Sequence, residues 1–259
     1  MNQKLSNAFA DGKAFIPFVT CGDPTLETTR EVVRAAAAAG AKVIELGIPF
    51  SDPTAEGPVI QGANLRALEG GVDTDKIFQL ARELNDELDV AMVFMTYGNV
   101  VYHYGIERFA KNAAEAGMCG IILPDVPFEE KGEFAPAFAA EGLDLISMIA
   151  PTSEDRIAMI AREAEGFIYL VSSLGVTGTR TQITTDLDSI VTKIREVTDT
   201  PIAIGFGISN ATAAKNMAAK ADGAIVGSAI VKIIAKEGEA AAKPVGAFVA
   251  DCVAAVNEA

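Results

Sequence analysis

Residues 43–68, VIELGIPFSDPTAEGPVIQGANLRAL, place two glutamates between a short apolar run and a helical pattern. The run VIELG is β-branched, apolar and closed by Gly47, which reads as a short buried strand. Alternation along it sets Val43, Glu45 and Gly47 on one face and Ile44 and Leu46 on the other. Glu45 is thus a charge on a strand with no other reason to carry one. An unpaired buried carboxylate is costly, and it escapes through a raised pKa or a specific partner. Residues 48–58 form a loop rich in Pro, Gly and Ser that carries Asp52 and Glu56, and from 59 to 68 the spacing turns helical. An acid near the end of a strand, followed by a long loop with a second acid, is how a barrel enzyme deploys acid–base groups. On these residues alone, a structural ion pair for Glu45 and a solvated loop charge for Glu56 stay open.

The same strand–helix alternation extends in both directions. A short leading helix over 2–9 precedes a first strand at 15–20, FIPFVT, and a helix over 26–39 with Thr25 as its N-cap. After the second strand come a short helix near 62–68 and a longer one over 74–88. Strands follow at 90–96, 119–123, 143–149, 167–171, 201–205 and 223–226, interleaved with helices at 106–116, 129–140, 153–164, 187–197 and 209–219. A short helix from 228 and a terminal one from about 241 complete the pattern. Strands alternating with helices imply a parallel sheet with right-handed crossovers. Eight such units across 259 residues, with no break in composition, predict one α/β domain over 1–259. Its form would be a (β/α)₈ TIM barrel with a short N-terminal helix and extra helices after strands 2 and 8. A doubly wound open sheet is the alternative; no G-x-G-x-x-G follows the first strand to favour it.

The net charge of −14 argues against nucleic acid or an anionic membrane as a partner. Cys21, Cys119 and Cys252 are widely spaced, with neither a disulfide framework nor zinc spacing, which points to a reducing cytoplasm. His103 is the only histidine, so a multi-histidine metal site is excluded; it lies in VVYHYG, read as a packing or surface residue at a helix start. No secretory h-region is read near the N-terminus, and no charge-free apolar run reaches membrane-spanning length.

In such a barrel the active site lies at the C-terminal ends of the strands. Three glycine-bearing segments are expected there: Gly175-Val-Thr-Gly178, Gly205-Phe-Gly-Ile-Ser209 and Gly227-Ser228. Glycine lets the backbone approach a ligand, and Ser228, read as an N-cap, opens a helix whose free N–H groups favour a phosphate.

The strings FIPFVTCGDP, ELGIPFSDPTAEGPVIQ, YGN, PDVPFEE, GVTGTR, GFGIS and GSAIVKII run through essentially the whole chain. In order and spacing they resemble tryptophan synthase alpha chains. That resemblance implies a (β/α)₈ lyase that cleaves indole-3-glycerol phosphate to indole and glyceraldehyde 3-phosphate. It implies no metal or organic cofactor on this chain. It further implies a cytoplasmic alpha–beta–beta–alpha heterotetramer in which pyridoxal phosphate sits only on the beta chain. By motif match Glu45 and Glu56 are the catalytic acids, Glu56 standing where the family most often has Asp. Thr177 pairs with that second acid on closure. Tyr97 and Tyr169 stand near the indole, and Phe18, Ile60, Ile122 and Phe206 form its apolar lining. Gly178, Gly207, Gly227 and Ser228 cradle the phosphate. Pro49, Asp52, Asn99 and Pro127 match positions that contact the beta chain. Two consequences follow for the acids: Glu45, walled by Phe18 and Tyr97, has a raised pKa, whereas Glu56, on a mobile loop, stays ionised.

Two other functions are compatible with a barrel of this kind. One is a phosphate-binding isomerase or epimerase, which would need a use for both acids. The other is a weakly active allosteric partner of a beta chain, suggested by Glu56 in place of Asp.

Overall fold

The parallel strands close on themselves in chain order, the last pairing with the first. The computed structural model describes residues 2–151, 154–172, 186–205 and 207–259. The strands are β1 (Ala14–Thr20), β2 (Val43–Gly47), β3 (Ala91–Met95), β4 (Gly120–Ile122), β5 (Asp144–Ile149), β6 (Glu165–Val171), β7 (Ile202–Gly205) and β8 (Gly223–Val226). The helices are α1 (Gln3–Ala10), α2 (Leu26–Ala38), α3 (Pro58–Glu69), α4 (Thr74–Glu87), α5 (Gly98–Tyr104) and α6 (Ile106–Glu115), then α7 (Ala135–Ala140), α8 (Glu154–Arg162), α9 (Leu187–Arg195), α10 (Ala211–Ala218), α11 (Ser228–Glu237) and α12 (Ala242–Asn257). The barrel is the one expected, with a leading helix and extra helices after β2 and β8.

Strand alternation splits the apolar residues into two layers. Ile16, Phe18, Val43, Val93, Ile122, Phe167, Tyr169, Ala203 and Ile225 fill the barrel. Ile44, Leu46, Phe94, Ile121 and Ala224 face the helices, as do Ile168, Leu170, Ile202 and Ile204 farther round. Val43 inside and Ile44 and Leu46 outside match the assignment of faces on β2. α1 packs Leu5 into the inner layer, and its Phe9 ring lies 5.7 Å from that of Phe167. Register sets Glu45 beside Phe18 on one side and Val93 on the other, inside the barrel.

The structure departs from the expected elements in places with local causes. The helix expected over 129–140 is a 3₁₀ segment, Phe128–Glu133, followed by α7. Pro136 accounts for this, since it lacks an N–H and its ring would clash with the carbonyl four residues back, at Gly132. An additional helix, α5, follows β3, so exposed His103 lies in its last turn rather than at a helix start. Gly105, at φ +95°, closes that turn. α3 begins at Pro58, a residue pre-set for the first helical position, rather than near 62.

Candidate active site at the carboxyl ends of the strands

Glu45 is fully buried, and neither carboxyl oxygen has a hydrogen-bond partner among the described residues. Burial pushes its pKa from an ordinary carboxylate value up to about 8. A cavity opens in front of it, enclosing roughly 460 Å³ of empty space with the solvent at its mouth included. Phe18, Ile60, Met95, Tyr169, Ile208 and Ile225 supply its apolar walls, Glu45 and Glu56 its acids, and Gly207, Gly227 and Ser228 its far rim. Two glycines make room for the rings. A Cβ on Gly47 would lie 2.6 Å from the Phe18 ring, and one on Gly205 would lie 2.4 Å from the Tyr169 hydroxyl.

Glu56 corrects the expectation of a solvated charge on a loop. It is only 6% exposed, although Asp52 in the same loop is exposed. Asn64 on α3 donates to Glu56 Oε2 at 2.7 Å. The Tyr97 hydroxyl accepts the Ala55 N–H at 3.2 Å and donates to the Glu56 carboxylate. Burial raises the Glu56 pKa to about 7, the bonds from Asn64 and Tyr97 pulling the other way. Both acids therefore titrate near neutrality, with Glu45 the more readily protonated.

At the far rim, β8 ends at Val226 and α11 begins at Ser228 with Gly227 as its N-cap. Ser228 is thus the first helical residue rather than the cap, and its N–H is one of the helix's unpaired donors. These donors and the helix dipole give the rim positive character without a lysine or arginine among the cavity's described lining.

The structure brings together Glu45, Glu56, Phe18, Ile60, Tyr169, Gly207, Gly227 and Ser228 around one cavity. Tyr97 does not line the cavity; it stands behind Glu56, its ring 5.2 Å from that of Phe50. Ile122 is in the barrel interior but not on the cavity wall. Thr177, Gly178 and Phe206 lie outside the described residues. Asp52 and Pro127 are exposed in the loops beyond β2 and β4 and Asn99 is exposed in the first turn of α5 after β3, whereas Pro49 is buried. Met95, Ile208 and Ile225 were not anticipated. Met95 and Ile225 were open to the period-two rule, since each lies two residues beyond an inward position, Val93 and Gly223. Asn64 was signalled by a polar side chain on an otherwise apolar helix stripe.

Two buried acids, an apolar chamber and a helix N-terminus at the strand ends define a (β/α)₈ enzyme equipped for acid–base chemistry on a substrate with an apolar part and an anionic part. A family model for the tryptophan synthase alpha chain matches residues 5–257. The alpha chain of Lactiplantibacillus plantarum is 50% identical over 232 residues, covering 89% of this chain and 88% of that one. That of Methanosarcina mazei is 51% identical over 223 residues, covering 85% and 81%. The solved alpha subunit of Legionella pneumophila superposes with a TM-score of 0.89 at 31% identity over 100% of both chains. A structure of Mycobacterium tuberculosis tryptophan synthase gives 0.90 at 31% identity, covering 99% of each chain, and one of the Pyrococcus furiosus tryptophan synthase complex gives 0.84 at 31% identity, covering 94% of this chain and 98% of that one. The chain belongs to the tryptophan synthase alpha chain family.

Proposed function

We propose that this chain, as one barrel domain over 1–259, is a lyase that cleaves indole-3-glycerol phosphate to indole and glyceraldehyde 3-phosphate. The observation that carries this reading is the Glu45 carboxyl, buried without a hydrogen-bond partner among the described residues and facing a chamber it shares with Glu56. Burial raises both acids, and only on Glu56 do hydrogen bonds oppose it, so we assign the proton of the singly ionised pair to Glu45. That is the state the reaction needs at its outset. Glu45 gives its proton to indole C3 while the ring nitrogen releases electron density through C2, and ionised Glu56 accepts a hydrogen bond from the indole N–H as positive charge grows there. The Glu45 carboxylate then takes the proton of the glycerol hydroxyl. The O–H electrons form the aldehyde carbonyl, the bond between C3 and the side chain breaks, and its electrons restore the indole. No proton is gained or lost overall.

The apolar walls suit the indole, and the N–H groups of Gly207, Gly227 and Ser228 suit the phosphate, with Gly178 as a further donor. Thr177 is proposed to meet Glu56 when the loops close. The chain would work in the cytoplasm and pass indole to a beta chain in an alpha–beta–beta–alpha assembly, with pyridoxal phosphate on the beta chain and no cofactor on this one. Exposed Asp52, Asn99 and Pro127 would meet that partner, and buried Pro49 would shape the turn that presents Asp52. The exposure of those three on one end of the barrel supports this, as does the likeness to a solved complex.

The test is release of both indole and the triose phosphate from indole-3-glycerol phosphate, with and without a beta chain, beside ribulose and ribonucleotide phosphates as competitors. Turnover of the indole substrate alone supports the lyase. Turnover of a sugar phosphate alone would replace it with an isomerase.

A further inference from the structure

The inward stripe of α3 is Ile60, Ala63, Asn64 and Ala67. Asn64, at 4% exposed, is the polar member. Asparagine is a weak helix-interior residue, and burying its amide is costly unless the amide is bonded. Leucine or alanine would serve packing better there. What the amide does is donate from Nδ2 to Glu56 Oε2 at 2.7 Å. The direction is unambiguous for an ionised carboxylate, which can only accept. The same helix fixes the Glu56 backbone, because Gln61 Nε2 donates to the Glu56 carbonyl at 2.7 Å. Tyr97, anchored by the Ala55 N–H, bonds the carboxylate from the loop after β3. Glu56 is therefore gripped from two elements while its side chain stays in the cavity wall.

We propose that Asn64 is a positioning residue for Glu56, its amide holding the carboxylate charged and aimed into the cavity. This rests on the reading of Glu56 as the acid that meets the substrate's N–H. The groups around Glu56 leave this task to few donors. Glu45 from β2 and Tyr169 from β6 line the same cavity, Tyr97 stands behind it with Asp125 near enough to act on the phenol, and no lysine, arginine or histidine is among the described lining. Without Asn64 the carboxylate keeps the Tyr97 bond and loses the amide that opposes protonation, so its titration moves upward.

The experiment uses protein labelled at the glutamate carboxyl carbon, with the Glu56 resonance assigned by its loss in Glu56→Gln. Carbon NMR then follows Glu56 ionisation in the parent, in Asn64→Leu and, should leucine prevent folding, in Asn64→Ala. We expect the midpoint to rise by roughly one pH unit, the scale of one hydrogen bond to a charged group. The acid limb of kcat/KM should rise with it, roughly a tenfold loss at pH 6 with less change above pH 8. An unmoved midpoint in a folded variant overturns the assignment, and so does an acid limb that stays put while the midpoint moves. A parent that turns over no indole substrate, yet whose Glu56 midpoint rises on loss of Asn64, contradicts the lyase reading and leaves the role of Asn64 supported.

Discussion

Glu45 faces the barrel interior, between Phe18 and Val93, from a strand buried along its whole length. Its raised titration then follows from burial. This has a consequence for stability. The folded pKa lies above the unfolded one, so the native state holds more protons between them, and stability present below about pH 4.5 falls as pH rises toward 8. The loss is about 1.4 kcal/mol per pH unit at most within that window. Glu45→Gln removes this contribution, and denaturant titrations from pH 5 to 9 should show a flatter pH dependence and a variant more stable than the parent at the alkaline end. The sequence shows Glu45 as a lone charge on an apolar strand, but it does not show that Glu56 is buried. Its burial depends on Tyr97 from another strand's loop and on Asn64 two turns along α3, contacts that a loop composition of Pro, Gly and Ser does not reveal. Glu56→Ala should cost at least ~100-fold in kcat. Glu56→Asp keeps the charge but draws it back by one methylene, and it should retain more activity than alanine in the same assay.

The eight strands and the main helices were readable because β-branched runs and helical spacing are local signals. The 3₁₀ segment before α7 and the start of α3 at Pro58 turn on single prolines, whose positional meaning is sharper than any periodicity. The anion rim belongs to α11. Ser228→Asp puts a carboxylate at its first helical position, where the dipole favours it, and also where an incoming phosphate would be repelled. Ser228 is buried, so the variant's fold is checked first by thermal melt; in the folded variant KM for the phosphate substrate should rise at least ~10-fold. Should KM stay unchanged, the phosphate lies elsewhere. α3 is tied to the loop after β1 by Arg66, whose Nε and Nη2 donate to Asp23 at 2.7 and 2.9 Å. Asp23 is buried and Arg66 partly exposed. Arg66→Met leaves the buried carboxylate without this partner, and denaturant unfolding should register a loss of about 2 kcal/mol, less than for a wholly buried pair.

At the scale of the molecule, closing the barrel is what gathers side chains from residue 18 to residue 228 around one chamber. The same closure puts the loops that carry Asp52 and Pro127, and the start of α5 that carries Asn99, at that end of the barrel, where a partner covering them would also cover the cavity's mouth. Asp52→Ala should accordingly weaken beta-chain binding or stimulation while leaving the melting temperature unchanged; an unaltered binding isotherm with unaltered stimulation would remove Asp52 from the interface. The central claim is that Glu45 and Glu56, set at different pKa values in a buried chamber, perform the cleavage. It is tested most directly by the pH profile of indole-3-glycerol phosphate cleavage, measured with saturating beta chain for the parent and for Glu45→Gln. We expect a bell for the parent, its acid limb near 7 from Glu56 and its alkaline limb near 8 from Glu45, and for Glu45→Gln a kcat lower by at least ~100-fold across the range. A Glu45→Gln enzyme within a few fold of the parent, with the alkaline limb still in place, would contradict it.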